Sequence, residues 1–360
     1  MSLLFDVATF GALSLPNRLV RSATAERMAD DAGRPLPELA SLYRDLARGG
    51  VGLIITGHMY VHPAGRCHLG MTGIYEDALI PGLAELVAAV HREGGKIAVQ
   101  INHGGMQCAR ESVAGTVAPS AVDAPFLPQP AREMTPDEIE AAIDAYAQAA
   151  RRAQSAGFDA VQLHGAHGYL INQFLSPFVN RRTDGWGGDL EGRMRFLRAV
   201  CAAVRAQVGP DYPLFIKFGM EDGVEGGLTL DESVQVAAAL ADMGLDAVEV
   251  SGGITAGKIQ NSKPAIREAA DEAYFRDFAR AVRAVTPLPL MLVGGFRSRA
   301  VMDDVLDAGD ADFIALSRPL IAEPDLPNRL RQGQARAACI SGNRCWPKAE
   351  GEGIACRCLD

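Results

Sequence analysis

The sequence lacks any long apolar run and any basic tract. Its 360 residues contain no stretch of about 18 apolar residues, so no membrane span is predicted. The formal net charge is −9 and Lys and Arg do not cluster, so nucleic acid is not an expected partner. The N-terminus has no basic region before its apolar residues and carries Asp6. We therefore predict no signal peptide and a cytoplasmic location.

Cysteine is also scarce. Seven cysteines in 360 residues do not predict a disulfide framework. Four of the seven crowd the C-terminal end of the chain, at Cys339, Cys345, Cys356 and Cys358. The rest of the composition, with 48% hydrophobic and 22% charged residues, is typical of a globular protein.

Eight short runs rich in Val, Ile and Leu alternate with amphipathic segments of helical period. Most of the runs are apolar on both faces, which indicates parallel strands covered by helices. The runs lie at residues 18–25, 51–57, 96–105, 160–166, 214–219, 247–253, 290–295 and 313–318. Eight such units predict an α/β fold of the (β/α)8 TIM-barrel type. An open doubly wound sheet is less favoured because the chain has no G-x-G-x-x-G signature.

Further features refine this barrel. Residues 5–17 have the turn residues of an N-terminal β-hairpin, expected to cover the bottom of the barrel, and long loops follow strand three (106–134) and strand four (167–189). No linker interrupts the pattern. We therefore expect one barrel over residues 1–335, followed by a cysteine-containing C-terminal tail at 336–360.

Polar residues and glycines gather where the predicted strands end, and TIM barrels carry their chemistry at these ends. The seventh and eighth strands end in "VGGF" and "SRPL". Gly294 and Gly295 would let backbone N–H groups approach an anion, and Arg318 would add charge, which favours a phosphate site over a simple turn.

Other strand ends provide hydrogen-bonding groups. Lys217 ends a buried run, where it faces either an electron-rich ligand or a salt-bridge partner. His164 and His167 are spaced to polarise one carbonyl or nitro oxygen, and Tyr169 could give a proton. A metal site is the alternative for the histidines, but no acidic residue or cysteine adjoins them to complete it.

Five segments then carry a resemblance to a known family. They are "NRLVRSAT", "QINHGG", "HGAHGYLINQFLSPFVNRRTDGWGG", "VGGF" and "DFIALSRPLIAEPDLP", in that order along the chain. Over residues 3–335 the chain resembles the Old Yellow Enzyme and 2,4-dienoyl-CoA reductase family of FMN-dependent NADH:flavin oxidoreductases.

The resemblance implies a non-covalent FMN at the wide mouth of the barrel. The residues expected to bind FMN are Ser22, Ala23, Thr24, Gly57, Gln100, Lys217, Gly294, Gly295, Ser317 and Arg318. Gln100 is expected at the pyrimidine edge and Lys217 beside N1 and O2, where a cation stabilises the reduced flavin. Gly295, Ser317 and Arg318 are expected at the phosphate.

The resemblance also implies a reaction. NAD(P)H reduces the flavin and leaves, and an enone or a related electron-poor alkene then takes the hydride at its activated C=C bond, a ping-pong sequence. His164 and His167 hold the electron-withdrawing group and Tyr169 protonates the α-carbon. A flavin-dependent amine demethylase or dehydrogenase, or a metal-dependent hydrolase on the same barrel, are the alternatives. A homo-oligomer is compatible with the composition.

Three features depart from the family pattern. Met106 stands where many members carry Arg, and Ala25 stands where many place Cys, Thr or His near the flavin. The tail resembles the iron–sulfur segment of the dienoyl-CoA reductase branch, but Gly342 stands at its second cysteine. Because such clusters need four thiolates, we expect a degenerate segment without a cluster. A zinc site from the same cysteines is the lesser alternative.

Overall fold

Eight parallel strands close into a barrel in the computed structural model, which describes residues 3–347 and 352–358. The strands of the described chain are β1 (Ala8–Phe10), β2 (Leu13–Leu15), β3 (Leu19–Arg21), β4 (Leu53–Ile55), β5 (Met59–Tyr60), β6 (Ile97–Asn102), β7 (Thr116–Ala118), β8 (Ala131–Glu133), β9 (Ala160–Gly165), β10 (Leu214–Gly219), β11 (Ala247–Ser251), β12 (Leu290–Val293) and β13 (Phe313–Leu316). The barrel follows the order β3-β4-β6-β9-β10-β11-β12-β13, and β13 pairs with β3 to close it. Each of the eight predicted runs contains one barrel strand, so the TIM-barrel prediction is confirmed.

Helices separate successive barrel strands and cover the outside. They are α1 (Pro37–Arg48), α2 (Ile80–His91), α3 (Pro136–Ala156), α4 (Leu170–Leu175), α5 (Leu190–Val208), α6 (Leu230–Ala239), α7 (Arg276–Arg283), α8 (Arg299–Asp307), α9 (Arg318–Ala322) and α10 (Leu326–Arg331). Among the described residues, no helix is both long enough and apolar enough to span a membrane.

Local sequence signals explain where the longest helix begins and ends. At the start of α3, Thr135 accepts a hydrogen bond from the backbone of Glu138, and the Glu138 carboxylate accepts one from the backbone of Thr135. Pro136 occupies the first helical position, where its missing N–H costs nothing. Gly157 ends the helix with φ of 90°, a left-handed conformation that glycine adopts without strain.

The N-terminal hairpin β1–β2 seals the bottom of the barrel. Its Phe10 ring packs edge-on against Phe215 and Phe313, with centroid distances of 5.3 and 5.9 Å. These side chains form one buried cluster with residues that point inward from the barrel strands. The cluster packs the lower end of the barrel, and the cavity that the barrel strands line opens at their carboxyl ends.

The loops after the third and fourth barrel strands carry structure of their own. The loop after β6 contains the parallel pair β7–β8, and the loop after β9 contains α4. Both loops rise beside the carboxyl ends of the strands. They form one side of the wall around the site.

Candidate active site

A cavity of about 300 Å³ opens at the carboxyl ends of the barrel strands, and we call it the mouth cavity. Eleven of the thirteen site residues expected from sequence line it: Ser22, Ala23, Thr24, Gln100, His164, His167, Tyr169, Lys217, Gly295, Ser317 and Arg318. The size is at the lower end of the range for small-molecule sites. Gly57 and Gly294 are outside this lining.

Gly57 and Gly294 are both tightly packed against neighbouring groups. The backbone N–H of Gly57 donates to Oε1 of the buried Glu26 at 2.9 Å. A Cβ on Gly294 would lie 3.0 Å from the backbone nitrogen of Tyr274, and its φ is +155°. Close packing therefore accounts for these two glycines.

A chain of buried polar side chains forms the floor of the mouth cavity. Gln100 Nε2 donates to Gln162 Oε1 at 2.7 Å, and Gln162 Nε2 donates to Glu249 Oε2 at 2.8 Å. Both glutamines and the glutamate are almost fully buried. Each buried polar group needs a partner to offset its lost hydration, and the chain provides one.

Lys217 joins this chain through Glu249. Its Nζ lies 3.1 Å from Glu249 Oε1 and donates to Ser22 Oγ at 2.8 Å. The Ser22 hydroxyl in turn donates to Glu249 Oε1 at 2.6 Å. The sequence left open whether Lys217 faces an electron-rich ligand or a salt-bridge partner, and the structure shows a salt bridge to Glu249. Lys217 still lines the mouth cavity, so it can face a ligand as well.

Three aromatic rings stand above the floor on one side. The ring centroid of His164 lies 5.2 Å from that of His167 and 4.6 Å from that of Tyr169. His164 is the penultimate residue of β9, while His167 and Tyr169 follow in the turn before α4. The three side chains that the sequence spacing singled out thus face one cavity.

The turn that carries His167 is held from α4. His167 has φ of 62° and Gly168 has φ of 80°, two successive left-handed residues. Asn172 Oδ1 accepts the Gly168 N–H at 2.6 Å, and Gln173 Nε2 donates to the Gly168 carbonyl at 2.6 Å. A left-handed conformation costs a histidine about 1 to 2 kcal/mol, and these two hydrogen bonds stabilise the turn that holds His167 in it.

His164 and His167 are both neutral at pH 7. Burial lowers the pKa of His164 well below its ordinary value, and the neighbouring His167, His58 and Lys217 lower it further. Burial and then Lys217 lower the pKa of His167 to about 3. His164 Nδ1 accepts the Ala166 N–H at 3.3 Å, so the ring proton is on Nε2 and can be donated.

His167 and Tyr169 differ in their partners. His167 Nε2 is 2.8 Å from Ser251 Oγ, which orients the ring. The hydroxyl of Tyr169 makes no hydrogen bond to any described residue, and burial raises its pKa above the ordinary value. Tyr169 is therefore a protonated phenol whose O–H is available to a ligand.

A third histidine at this wall was missed in the sequence analysis. His58 lines the mouth cavity, and its ring centroid lies 5.1 Å from Tyr169 and 5.9 Å from His164. Its Nδ1 is 2.9 Å from Asn102 Nδ2, and burial holds its pKa well below the ordinary value. Its place next to Gly57, directly after a predicted strand, is the signal that could have found it.

The opposite end of the mouth cavity is cationic. Arg318 Nη1 donates to the carbonyl of Lys263 at 2.8 Å and to Asn343 Oδ1 at 2.5 Å. Gly295 has φ of 76°, and its N–H donates to no other described residue. Ser317 Oγ lies 2.8 Å from Thr24 Oγ1. A guanidinium, hydroxyls and a free backbone N–H at one end suit a phosphate group.

The C-terminal tail contributes a wall that the sequence analysis did not expect. Asn343, Cys345, Trp346 and Ile354 line the mouth cavity. Residues 348–351, 359 and 360 of the tail, and residues 1 and 2 of the barrel segment, lie outside the described residues. The division into a barrel at 1–335 and a tail at 336–360 stays a prediction.

The four tail cysteines are free thiols. Cys339 and Cys345 are buried, and Cys356 and Cys358 are half-buried. Within residues 3–347 and 352–358, no three His, Cys, Asp or Glu side chains converge as ligands of one metal ion. A Cβ on Gly342 would lie 2.7 Å from Cys358 Sγ, so Cys358 fills the space beside this glycine. The degenerate iron–sulfur segment stays a prediction.

The chain matches a known protein family over most of its length. The model of the NADH:flavin oxidoreductase / NADH oxidase family matches residues 3–337. The chain belongs to this family.

Relatives and solved structures extend the match. An NADH oxidase of Thermoanaerobacter brockii is 38% identical over 94% of this chain, which spans only 52% of that relative. An NADPH dehydrogenase of Geobacillus sp. (strain WCH70) is 34% identical, with 96% of this chain and 99% of that protein covered. A structure of morphinone reductase in complex with tetrahydroNAD has a TM-score of 0.77 and 31% identity, covering 92% and 91% of the two chains. The cofactor of the family is FMN, with NADH or NADPH as electron donor.

Proposed function

We propose that this protein is an FMN-dependent NAD(P)H oxidoreductase that reduces the activated C=C bond of enones or related electron-poor alkenes. Two neutral imidazoles and an unpartnered phenol face one cavity with a phosphate-suited end, and this arrangement carries the proposal. FMN, when bound, supplies hydride transfer from NAD(P)H to the alkene.

The mouth cavity fits FMN in the distribution of its donors. Arg318, Ser317 and Gly295 would hold the phosphate. Gln100, Lys217 and the segment Ser22–Thr24 would hold the ring system. Gly57 and Gly294, which do not line the mouth cavity, would act through the packing of these segments. Ala25 also lines the mouth cavity and brings no polar side chain to it.

His164 and His167 would bind the carbonyl or nitro oxygen of the substrate. Burial keeps both rings neutral at pH 7, so the Nε2–H of His164 can be donated without adding a positive charge to the site. As negative charge develops on the substrate oxygen, fixed donors in a largely dry site stabilise it more than water would. Ser251 and the Ala166 N–H hold the two rings in place.

Tyr169 would deliver the proton to the α-carbon. Its hydroxyl has no competing partner among the described residues, and burial keeps it protonated. A positioned proton donor contributes about 10² to 10⁴ in rate. Its contact with the His164 ring places the donor next to the group that binds the oxygen.

Both reactants would use the same cavity in turn. The described residues hold one cavity at the strand ends that joins a phosphate-suited end to the histidine pair. The morphinone reductase neighbour was solved with a reduced nicotinamide analogue, which supports nucleotide binding at such a site. A ping-pong sequence follows, because the oxidised nucleotide must leave before the alkene enters.

A rapid-mixing experiment on the FMN-loaded protein tests the proposal. We expect NADH or NADPH to bleach the flavin absorbance and 3-penten-2-one to restore it without oxygen. If reduced protein ignores enones and nitroalkenes but oxidised protein is bleached by methylated amines, the amine dehydrogenase alternative holds. If FMN in excess is not retained, both flavin assignments fail.

A further inference from the structure

The C-terminal tail forms a roof over the mouth cavity from residues beyond the range that the family model matches. The family match ends at residue 337, whereas the four tail residues that line the mouth cavity lie at 343–354. The roof is therefore an addition to the barrel at the carboxyl ends of its strands.

One end of the roof is fixed at the phosphate-suited side. The carbonyl of Ser341 accepts the Ala265 N–H at 2.9 Å. Asn343 Nδ2 donates to the carbonyl of Ser262 at 3.0 Å, and Asn343 Oδ1 accepts from Arg318. Two separate segments, the loop after β11 and the start of α9, thus hold this end, so it has a defined position above the barrel.

The other end is fixed near the first barrel strand. The Ile354 N–H donates to the carbonyl of Glu26 at 3.0 Å, and the Ala355 N–H donates to the carbonyl of Cys345 at 3.1 Å. Arg357 Nη1 donates to the carbonyls of Cys345 and Trp346 at 2.9 and 2.8 Å. These bonds close the two arms of the tail on each other directly beside Trp346.

Trp346 is the exceptional side chain of the roof. Three large apolar residues are strongly exposed in the described part of the chain, Val7, Ile340 and Trp346, and of these Trp346 alone lines the mouth cavity. Its indole is 50% exposed although its backbone is held. An aromatic face left open at the edge of a cavity is suited to stacking on a flat ring.

We propose that Trp346 is a specificity-determining residue that stacks on planar, aromatic or fused-ring substituents of the substrate. The floor and the histidine wall bind the polar, reacting end of the substrate, while Trp346, Cys345 and Ile354 cover the end that does not react. The preferred substrates are thus activated alkenes that carry a flat apolar ring. This inference rests on the proposed alkene reduction at the same cavity.

Two enones that share the reacting group test this role. 4-Phenyl-3-buten-2-one and 3-penten-2-one differ only in a phenyl or a methyl on the β-carbon. We expect Trp346→Ala to lower kcat/KM for the phenyl enone about tenfold, as loss of an aromatic contact does. The value for 3-penten-2-one stays nearly unchanged, and Trp346→Phe keeps most of the preference.

Trp186 is the matched control, as the other of the two tryptophans of the chain. It lies in the loop after β9 beneath Arg195, 5.8 Å from ring centroid to guanidinium, and does not line the mouth cavity. Trp186→Phe leaves the preference intact. It also makes Trp346 the sole tryptophan, so that 4-phenylbutan-2-one, a saturated ligand, protects its fluorescence from acrylamide while 2-pentanone does not.

The outcomes separate the inference from the function on which it rests. Equal losses for both enones in Trp346→Ala, an unchanged ratio, or no protection of Trp346 by 4-phenylbutan-2-one would overturn the stacking role. A change of oligomeric state in Trp346→Ala with specificity unaltered would assign the indole to a subunit contact and also overturn it. If neither enone reoxidises the reduced wild-type protein, the proposed function fails instead.

Discussion

The ammonium of Lys217 lies 3.1 Å from the carboxylate of Glu249 in the interior of the barrel, and both side chains are almost fully buried. The two residues sit side by side in register on the neighbouring strands β10 and β11. Ser22 and Gln162 satisfy the remaining oxygen positions of the carboxylate. The ammonium of Lys217 thus has an internal partner that holds it in place.

Breaking this pair from one side should destabilise the fold. Lys217→Met leaves a buried carboxylate without its cation, and we expect the free energy of unfolding to fall by about 3 to 5 kcal/mol. The double variant Lys217→Met/Glu249→Gln removes both charges and should recover much of that loss. Urea unfolding of the three proteins measures it. Equal instability of the single and double variants would contradict an ion-pair origin.

Tyr169→Phe should separate the two half-reactions. The phenol O–H is lost while the ring and its contact with His164 remain. We expect reoxidation of the flavin by 3-penten-2-one to slow by about 10² to 10⁴, the usual contribution of a positioned proton donor. Reduction by NAD(P)H should be unaffected. Stopped-flow absorbance resolves both steps, and equal rates in variant and wild type would remove Tyr169 from the proton-donor role.

Acid should destabilise the protein through its buried neutral histidines. Burial lowers the pKa of His103 and of His167 from 6.5 to about 3. Below about pH 6.5 these histidines become protonated in the unfolded chain, whereas in the folded protein the two buried rings stay neutral down to about pH 3. Stability is therefore full above pH 6.5 and declines between 6.5 and 3, by up to about 1.4 kcal/mol per pH unit for each ring.

A histidine variant checks this slope. His103→Asn keeps a side chain that can accept the Gly105 N–H, which His103 Nδ1 accepts at 3.1 Å, but removes the titrating ring. We expect the decline in unfolding free energy between about pH 6 and 5 to become shallower by about 1.4 kcal/mol per pH unit. Urea unfolding at a series of pH values provides the measurement. An identical slope in both proteins would argue against His103 as a contributor.

Arg318 should distinguish FMN from riboflavin, which lacks the phosphate. The guanidinium reaches the phosphate-suited end of the mouth cavity and has a carbonyl and an amide oxygen as partners. Arg318→Ala should weaken FMN binding by about 1.5 to 3 kcal/mol, the value of a charge-assisted hydrogen bond, and leave riboflavin binding nearly unchanged. Fluorescence titration gives both affinities. A parallel loss for both flavins would indicate general unfolding of the site.

The barrel and the histidine wall could be predicted because their signals are local. Strands of the barrel are apolar on both faces, and helix starts such as Thr135 carry their caps within a few residues. His164, His167 and Tyr169 lie within one turn of the chain, so their approach to one another follows from spacing.

The remaining parts of the site depend on contacts between distant segments. Glu249 was visible as a charge inside the apolar run "AVEVS", but its partners Lys217 and Ser22 are 32 and 227 residues away along the chain. The tail reaches Glu26 and Ser262 through backbone groups and one asparagine. No periodicity or motif reports such contacts, and the roof therefore emerged only from the three-dimensional structure.

The aromatic cluster around Phe10 has a consequence for how ligands reach the mouth cavity. The aromatic cluster closes the lower end of the barrel, whereas the mouth cavity opens at the carboxyl ends of the strands. Under the proposed function, the nucleotide and the acceptor would share this opening, and each would have to leave before the other could bind. The alternating binding expected of two half-reactions would thus depend on side-chain packing at the end of the barrel farthest from the chemistry.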